Sequence, residues 1–365
     1  MTTTSLHIAF GSLHDPRIDR KKEHNLLDII VLSILGVLCG ANGYEEIADY
    51  GKTNISFLKQ FLELKNGIPS HDTIRRVFIL LNPQSFERCF AEWAQGLKDE
   101  GVVERVIALD GKTLRRTKDN FKQKSPLHSL HAWSVENGIC LGQVACGEKS
   151  NEITAIPQLL DLLDIKGSII TIDAMGTQRT IAEKIIDEGG DYILAVKGNQ
   201  GGLEEEIKTT CKITRSVSDT TTVEKDHGRI ETRRCEVFKK GYIVDFENVW
   251  KGLQTVVKIT ATREFPNKIE TCERYYISSL SSDNKEFNKY IRDHWGIENG
   301  LHWTLDMVFR EDEQRKREGH SAKNFAIVRK MGLNLLKKYP EKISIQRKRL
   351  KAAWDNEYLL KIVRF

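Results

Sequence analysis

Apolar positions follow a helical period in the first quarter of the chain and a strand period after it. Residues 1 to about 97 read as helical, led by LLDIIVLSILGVLCGA from Leu26 to Ala41, apolar on nearly every side and suited to the centre of a bundle. That stretch contains Asp28 and is too short to cross a bilayer comfortably, so a buried helix is predicted. YEEIADYGKTNISFLKQFL predicts the next helix, broken near Gly51. Pro69-Ser70-His71-Asp72-Thr73 ahead of IRRVFILL has the form of a capped helix start. A short helix, a turn and a capped helix carrying Arg75 and Arg76 fit a DNA-contacting helix-turn-helix. They fit equally a bundle helix whose arginines only solvate one face.

From about Glu104 the period changes. VIALDGKTL, LHAWSVEN and ICLGQVACG predict three successive strands; ITAIPQLLDLLD a helix, SIITIDA a strand, TQRTIAEKIIDEGG a helix and DYILAVKG a strand. That element order is the order of a ribonuclease-H-like α/β domain, a mixed sheet flanked by helices, although many α/β domains share parts of it. Residues from about 203 to 283 read as a β-rich insertion with basic strands in RIETRRCEVF, TVVKITATREF and ERYYISSL. A helical segment follows from about Lys285 to Phe309, and then a basic helical tail. The expected domains are a helical one over 1–97, a candidate for DNA contact, a ribonuclease-H-like one over 98–330, and a basic tail over 331–365.

Composition narrows this only a little. The 365 residues are 40% hydrophobic, enough for a real core, and carry a net charge of +5, which permits nucleic-acid binding without demonstrating it. Seven scattered cysteines form no CxxC pair, which argues against a disulfide framework or zinc site and suits a reducing cytosol. The start, MTTTSLHIAFGSLHD, lacks the layout of a secretory signal. The expectation is a cytoplasmic protein with no membrane anchor.

The candidate chemistry lies in acids placed after apolar runs. Asp110 ends the first predicted strand and Asp173 the fourth, and in the proposed sheet these strands are neighbours. Either aspartate alone reads as a cap for the following turn. Together, two acids at one sheet edge repel each other, and a divalent cation is the natural remedy. A third ligand is expected from HWGIENGLHWTLDMVF, where Ile297, Leu301, Leu305 and Val308 form a packed stripe. Glu298, His302 and Asp306 share the neighbouring face. A solvated acidic face is the plain alternative, and Trp295 and Trp303 argue against a mostly wet helix. His294, Glu298 and His302 also match the spacing of a helical zinc or iron site, but a second helix with Glu-x-x-His is missing.

At these residues the chain resembles bacterial insertion-sequence transposases of the DDE type, most closely the H-repeat-associated group. The resemblance is carried by LDGKTLR, IDAMGTQ, LAVKGNQ, HGRIETRR and RDHWGIENGLHWTLDMVFREDEQR, in that order, and extends to DPRIDRKKEHNLLDIIVLSILGVLCGANGYEEIADYG, so it covers nearly the whole chain. It implies a ribonuclease-H-like core with a β insertion between the second aspartate and the glutamate. Asp110, Asp173 and Glu298 would hold Mg²⁺, with Mn²⁺ able to substitute, for cleavage and strand transfer of an insertion element. The partners implied are DNA ends and target DNA, with a homodimer on DNA and no nucleotide cofactor. Asp306 is the fallback third ligand.

The wider superfamily often places Tyr, Arg and Lys around its glutamate, and those positions here hold Ile291, His294 and Leu305. Tyr290 and Arg292 lie close but out of register, so His294 or Arg292 is the expected substitute. Lys112, Lys197, Asn199 and Gln200 are candidates to meet phosphates near the centre, with His302 beside them. His227, Arg229, Arg233 and Arg234 are candidates for a basic patch along DNA. In each case a solvated side chain without a role is the plain alternative. The alternatives for the whole chain are a catalytically inactive or domesticated DNA-binding relative, and a ribonuclease-H-like nuclease of another sort.

Overall fold

A computed structural model describes residues 3–102, 104–119, 121, 123, 125–147, 152–226, 228–240 and 249–363. Among them the chain opens with helices α1 (Thr3–Phe10), α2 (Leu26–Leu38), α3 (Tyr44–Thr53), α4 (Ile55–Leu58), α5 (His71–Leu80) and α6 (Pro83–Gln95). Strands β1 (Val106–Leu114), β2 (Leu127–Ser134) and β3 (Ile139–Ala145) follow. Helix α7 (Glu152–Leu160), β4 (Ile169–Ile172), α8 (Arg179–Asp187), β5 (Asp191–Val196) and α9 (Gly201–Ile213) come next. Four long strands, β6 (Ser218–Asp226), β7 (Arg229–Lys239), β8 (Thr255–Phe265) and β9 (Lys268–Ser278), lead to α10 (Phe287–Asp293). The chain finishes with α11 (Trp303–Phe309), α12 (Ser321–Lys338), α13 (Ile345–Trp354) and α14 (Asn356–Val363).

Two compact units emerge, neither a single stretch of chain: Met1–Val102 with Gly111–Asn151 and Glu298–Phe365, and Val103–Asp110 with Glu152–Ile297. Residues 1–97 and 331–365 both lie within the first unit. Amino-terminal and carboxy-terminal helices share the first one, where α12 packs on α2, α5, α6 and β3. Helix α2 is buried on all sides, as its unbroken apolar run predicts, and Asp28 survives there because its Oδ2 accepts the Leu64 N–H at 2.9 Å. Ser70 caps α5 by accepting the Thr73 N–H. The break expected near Gly51 falls instead at Asn54, between α3 and α4. No helix among the described residues is long and apolar enough to cross a membrane.

The first unit also solves an edge-strand problem. β3 lies outermost in the order β3-β2-β1, and unpaired backbone on an edge invites foreign pairing. Asn334 of α12 occupies part of that edge: its Oδ1 accepts the Cys140 N–H at 2.9 Å and its Nδ2 donates to the Cys140 carbonyl at 2.8 Å. Glu87 of α6 accepts the Ala145 N–H at 3.2 Å. Two buried side chains thus stand in for a missing strand.

In the second unit the order is β1-β4-β5-β9-β8-β7-β6. β1 pairs parallel with β4, and β4 with β5; β9, β8, β7 and β6 continue antiparallel from β5. The five strands and two helices predicted between 104 and 197 are all present, and the result is a mixed α/β fold with a ribonuclease-H-like strand order. The β-rich segment is not a separate lobe but an extension of the sheet from β5. Two of its elements, α9 and β6, carry no clear period in the sequence. β6, SDTTTVEKD, is polar at nearly every position because it is the outermost strand.

Burial pushes the Glu87 carboxyl up to about 7 from an ordinary 4.5. Its folded value lies above its unfolded one, so the native state holds the proton more tightly. The stability linked to that proton is present below about pH 4.5 and lost as pH rises through about 7. Glu87→Gln keeps an acceptor for Ala145 and never ionises. Denaturant unfolding across pH should show the variant gaining on the wild type between these values, by at most about 3 kcal/mol; a gap that does not change with pH would show that Glu87 ionises freely.

Candidate metal centre

The two aspartates are placed by strand pairing within the second unit. β1 and β4 run parallel in register from Val106↔Ile169 to Leu109↔Ile172. Asp110 and Asp173 are each the next residue, one step beyond the last paired rung, on strands spaced about 4.8 Å apart. Both are half-buried. Asp110 does not end its strand as expected, since β1 continues to Leu114; only the pairing with β4 ends there.

Asp173 caps the turn Ala174–Gly176, its Oδ1 accepting the Met175 N–H at 3.0 Å and the Gly176 N–H at 3.4 Å. The capping role and a ligand role are compatible, because a carboxylate has a second oxygen. Burial, and then the nearby charge of Glu152, push this carboxyl above its ordinary value despite those N–H groups. A neighbouring positive charge would relieve both. Gly176 makes the turn possible: a Cβ there would lie 2.3 Å from Ile172 Cγ2 and 2.6 Å from Ile156 Cδ1.

The loop after Asp173 is held by residues expected to meet DNA. Asn199 Nδ2 donates to the Ala174 carbonyl, Gln200 Nε2 to the Thr177 carbonyl at 2.9 Å, and Thr177 Oγ1 to the Ala195 carbonyl. In this arrangement both amides secure the loop. Lys197 is exposed, and its charge acts on Asp173. His294 is half-buried and shares a hydrogen bond of 2.9 Å between its Nδ1 and Thr171 Oγ1 on β4. Arg292 is exposed and paired with Glu224 of β6.

Glu298 belongs to the first unit. It is exposed and opens a π-helical turn, Glu298–His302, that runs directly into α11. Leu301, Leu305 and Phe309 are buried, so the inner stripe is set by i+4 steps and Phe309 takes the place expected for Val308. Trp295 and Trp303 are exposed at 43% and 59%, against the expectation that they would keep the helix dry. Asp306 is engaged by Lys112, whose Nζ lies 2.6 Å from both of its oxygens.

Three residues expected on a DNA-facing surface are buried. Lys112, at 8% exposure, is committed to Asp306; His302, at 6%, packs on His131; and Arg233, at 4%, lies in β7 near Glu231. A long cationic or aromatic side chain reads as surface in a sequence, and only packing shows its charge turned inward. Arg229 is half-buried near Glu231, and Arg234 is exposed and held by Asp219. His227 lies outside the described residues. The features that sequence reasoning missed are His131 and the fully buried pair Glu311 and Lys330, 3.6 Å apart; Glu311 falls within the signature ending FREDEQR, but nothing local marks its pairing with Lys330.

The order β3-β2-β1 in one unit and β1-β4-β5 in the other, with an acid just past the paired rungs of β1 and β4, defines a ribonuclease-H-like protein with a carboxylate pair on its central strands. Sequence comparison makes this particular. The family described as Transposase DDE domain matches residues 102–335, and DDE_Tnp_1-associated matches residues 8–94. The chain belongs to the DDE transposase family, in its H repeat-associated group. It is 42% identical over 361 residues to the "H repeat-associated putative transposase YhhI" of Escherichia coli (strain K12), covering 96% of this chain and 95% of that one. It is 42% identical over 375 residues to the "Putative transposase YncI" of Escherichia coli O157:H7, covering 100% of this chain and 95% of the relative. A cryo-EM structure of a piggyBac transposase synaptic complex with hairpin DNA aligns at a TM-score of 0.45 and 11% identity, covering 100% of this chain and 78% of that one. The fold assignment rests on strand order rather than on that likeness.

Lys112→Met should leave Asp306 without its cation. A fully buried partner would cost 3–5 kcal/mol, but the Asp306 side chain is 32% exposed, so a loss of about 1–2 kcal/mol is expected in denaturant unfolding. Adding Asp306→Leu should recover most of it. An unchanged midpoint for Lys112→Met would show that the pair contributes nothing.

Proposed function

We propose that this chain is a DNA transposase that cuts and joins strands by divalent-metal-dependent phosphoryl transfer, with Asp110, Asp173 and Glu298 as the metal-holding acids. The observation that carries the reading is the pairing of β1 with β4, which leaves Asp110 and Asp173 side by side past Leu109↔Ile172 in a chain matching the Transposase DDE domain. Hard carboxylate oxygens of this kind suit Mg²⁺, with Mn²⁺ as a substitute. When bound, the metal supplies charge neutralisation at the scissile phosphate. The chain's part is to hold the acids. Asp173 is fixed by the capped turn and by the Asn199, Gln200 and Thr177 bonds behind it. The nucleophile is water in the first step and the freed 3′-hydroxyl of the element end in the second, so no covalent protein–DNA link forms. Lys197 would meet a phosphate near Asp173, a role supported by its exposure and by its charge acting on that carboxyl. The partners are element ends and target DNA, bound by a homodimer.

Cleavage of DNA carrying the element ends, with Mg²⁺ or Mn²⁺, tests this. Asp110→Asn, Asp173→Asn and Glu298→Gln should each lower the rate by 10³-fold or more, on the order expected when a group acting on the reacting phosphate is lost, with end binding retained. Full activity of Glu298→Gln would remove it from the centre. Intact end binding by the wild type without cleavage would favour a DNA-binding relative that has lost catalysis.

The basic strands separate by burial. Arg229→Ala should make the salt dependence of DNA binding shallower by about one unit of slope. Arg233→Ala should instead lower the unfolding midpoint and leave the slope alone. A titration in which Arg229→Ala changes nothing would reject its phosphate contact.

A further inference from the structure

The π-helical turn that carries Glu298 is gripped by β2 at two points. A Cβ on Gly300 would lie 2.7 Å from Trp133 Cζ2, so the turn rests directly on that indole. Two residues earlier on the strand, His131 Nδ1 lies 3.1 Å from His302 Nε2. The register of β2 slips between Ala132 and Trp133, a bulge of the kind that re-aims side chains. A π turn is itself rare and is found most often at functional positions. Across it, His302 Nδ1 faces Glu298 Oε2 at 3.7 Å, within reach of charge but longer than a hydrogen bond.

These contacts favour one arrangement of protons. His131 is fully buried, and burial with the charge of Lys330 holds its imidazole well below the ordinary histidine range, so it is neutral with one N–H. Its Nε2 has no partner among the described residues. If that Nε2 carried the proton, a donor would be orphaned in the core. With the proton on His131 Nδ1 instead, His131 donates to His302 Nε2, and His302 Nδ1 is the nitrogen that faces Glu298 Oε2.

We infer that His302, fixed by His131 and by the Gly300–Trp133 contact, is a positioning residue that aims the Glu298 carboxylate for metal binding. The inference rests on the reading of Glu298 as the third ligand. Outer partners of metal ligands commonly change affinity by 10–100-fold when removed, and the two nitrogens of His302 can be tested separately. His302→Asn keeps an amide N–H near the place of Nδ1, facing Glu298, and gives up the link to His131. His302→Gln keeps an amide near the place of Nε2, facing His131, and offers nothing to Glu298.

Mn²⁺ binding to the full chain, followed by calorimetry, reads the effect independently of cleavage. His302→Gln should weaken Mn²⁺ binding roughly tenfold and His302→Asn by much less. In a Glu298→Gln background, His302→Gln should add no further loss, because it acts through that carboxylate. Equal weakening by His302→Gln in both backgrounds, or an effect of Asn greater than that of Gln, would overturn the inference; so would unchanged binding by His302→Gln while Glu298→Gln weakens it. Mn²⁺ binding and cleavage untouched by Glu298→Gln would instead sink the ligand reading on which the inference stands.

Discussion

The four rungs of parallel pairing between β1 and β4 are the constraint from which the candidate centre follows. Val106 to Leu109 and Ile169 to Ile172 are buried aliphatic or small residues that gain only by being paired and covered. That gain carries the chain one residue further, to two carboxylates on neighbouring strands. At about 5 Å and an effective dielectric near 20, two such charges repel by about 3 kcal/mol. A divalent cation held between them would convert that repulsion into attraction. A capped turn behind Asp173, fixed by Thr177, Asn199 and Gln200, keeps one of the acids from swinging away.

The first unit shows the same economy with polar groups. Asn334 and Glu87 close the outer edge of β3 from two different helices, while Glu311 and Lys330 face each other with no exposure at all. Buried polar groups of this kind are costly unless matched, so they restrict how helices and strands can slide past one another. The π turn beginning at Glu298 sits in this setting, against His131 and Trp133.

Basic residues divide in a way that alters their meaning. Arg75, Arg76, Lys197 and Arg292 are exposed, whereas Lys112 and Arg233 are buried. Net charge and strand pattern treat these two groups alike. The difference comes from partners far along the chain, such as Asp306 for Lys112, 194 residues away.

The five core strands, their two intervening helices and the acids that follow the apolar runs of β1 and β4 were legible in the sequence, because short apolar runs bounded by turn residues have few local solutions. The cap at Ser70 and the burial of α2 were legible for the same reason: both depend on neighbours in the chain. Polar β6 and helix α9 were not, since their stability comes from the strand or helix alongside. The π turn, the partner of His302 and the inward direction of Lys112 and Arg233 were decided by tertiary structure alone. Each depends on a contact between residues remote in sequence, and a periodic pattern of apolar and polar positions carries no record of such contacts.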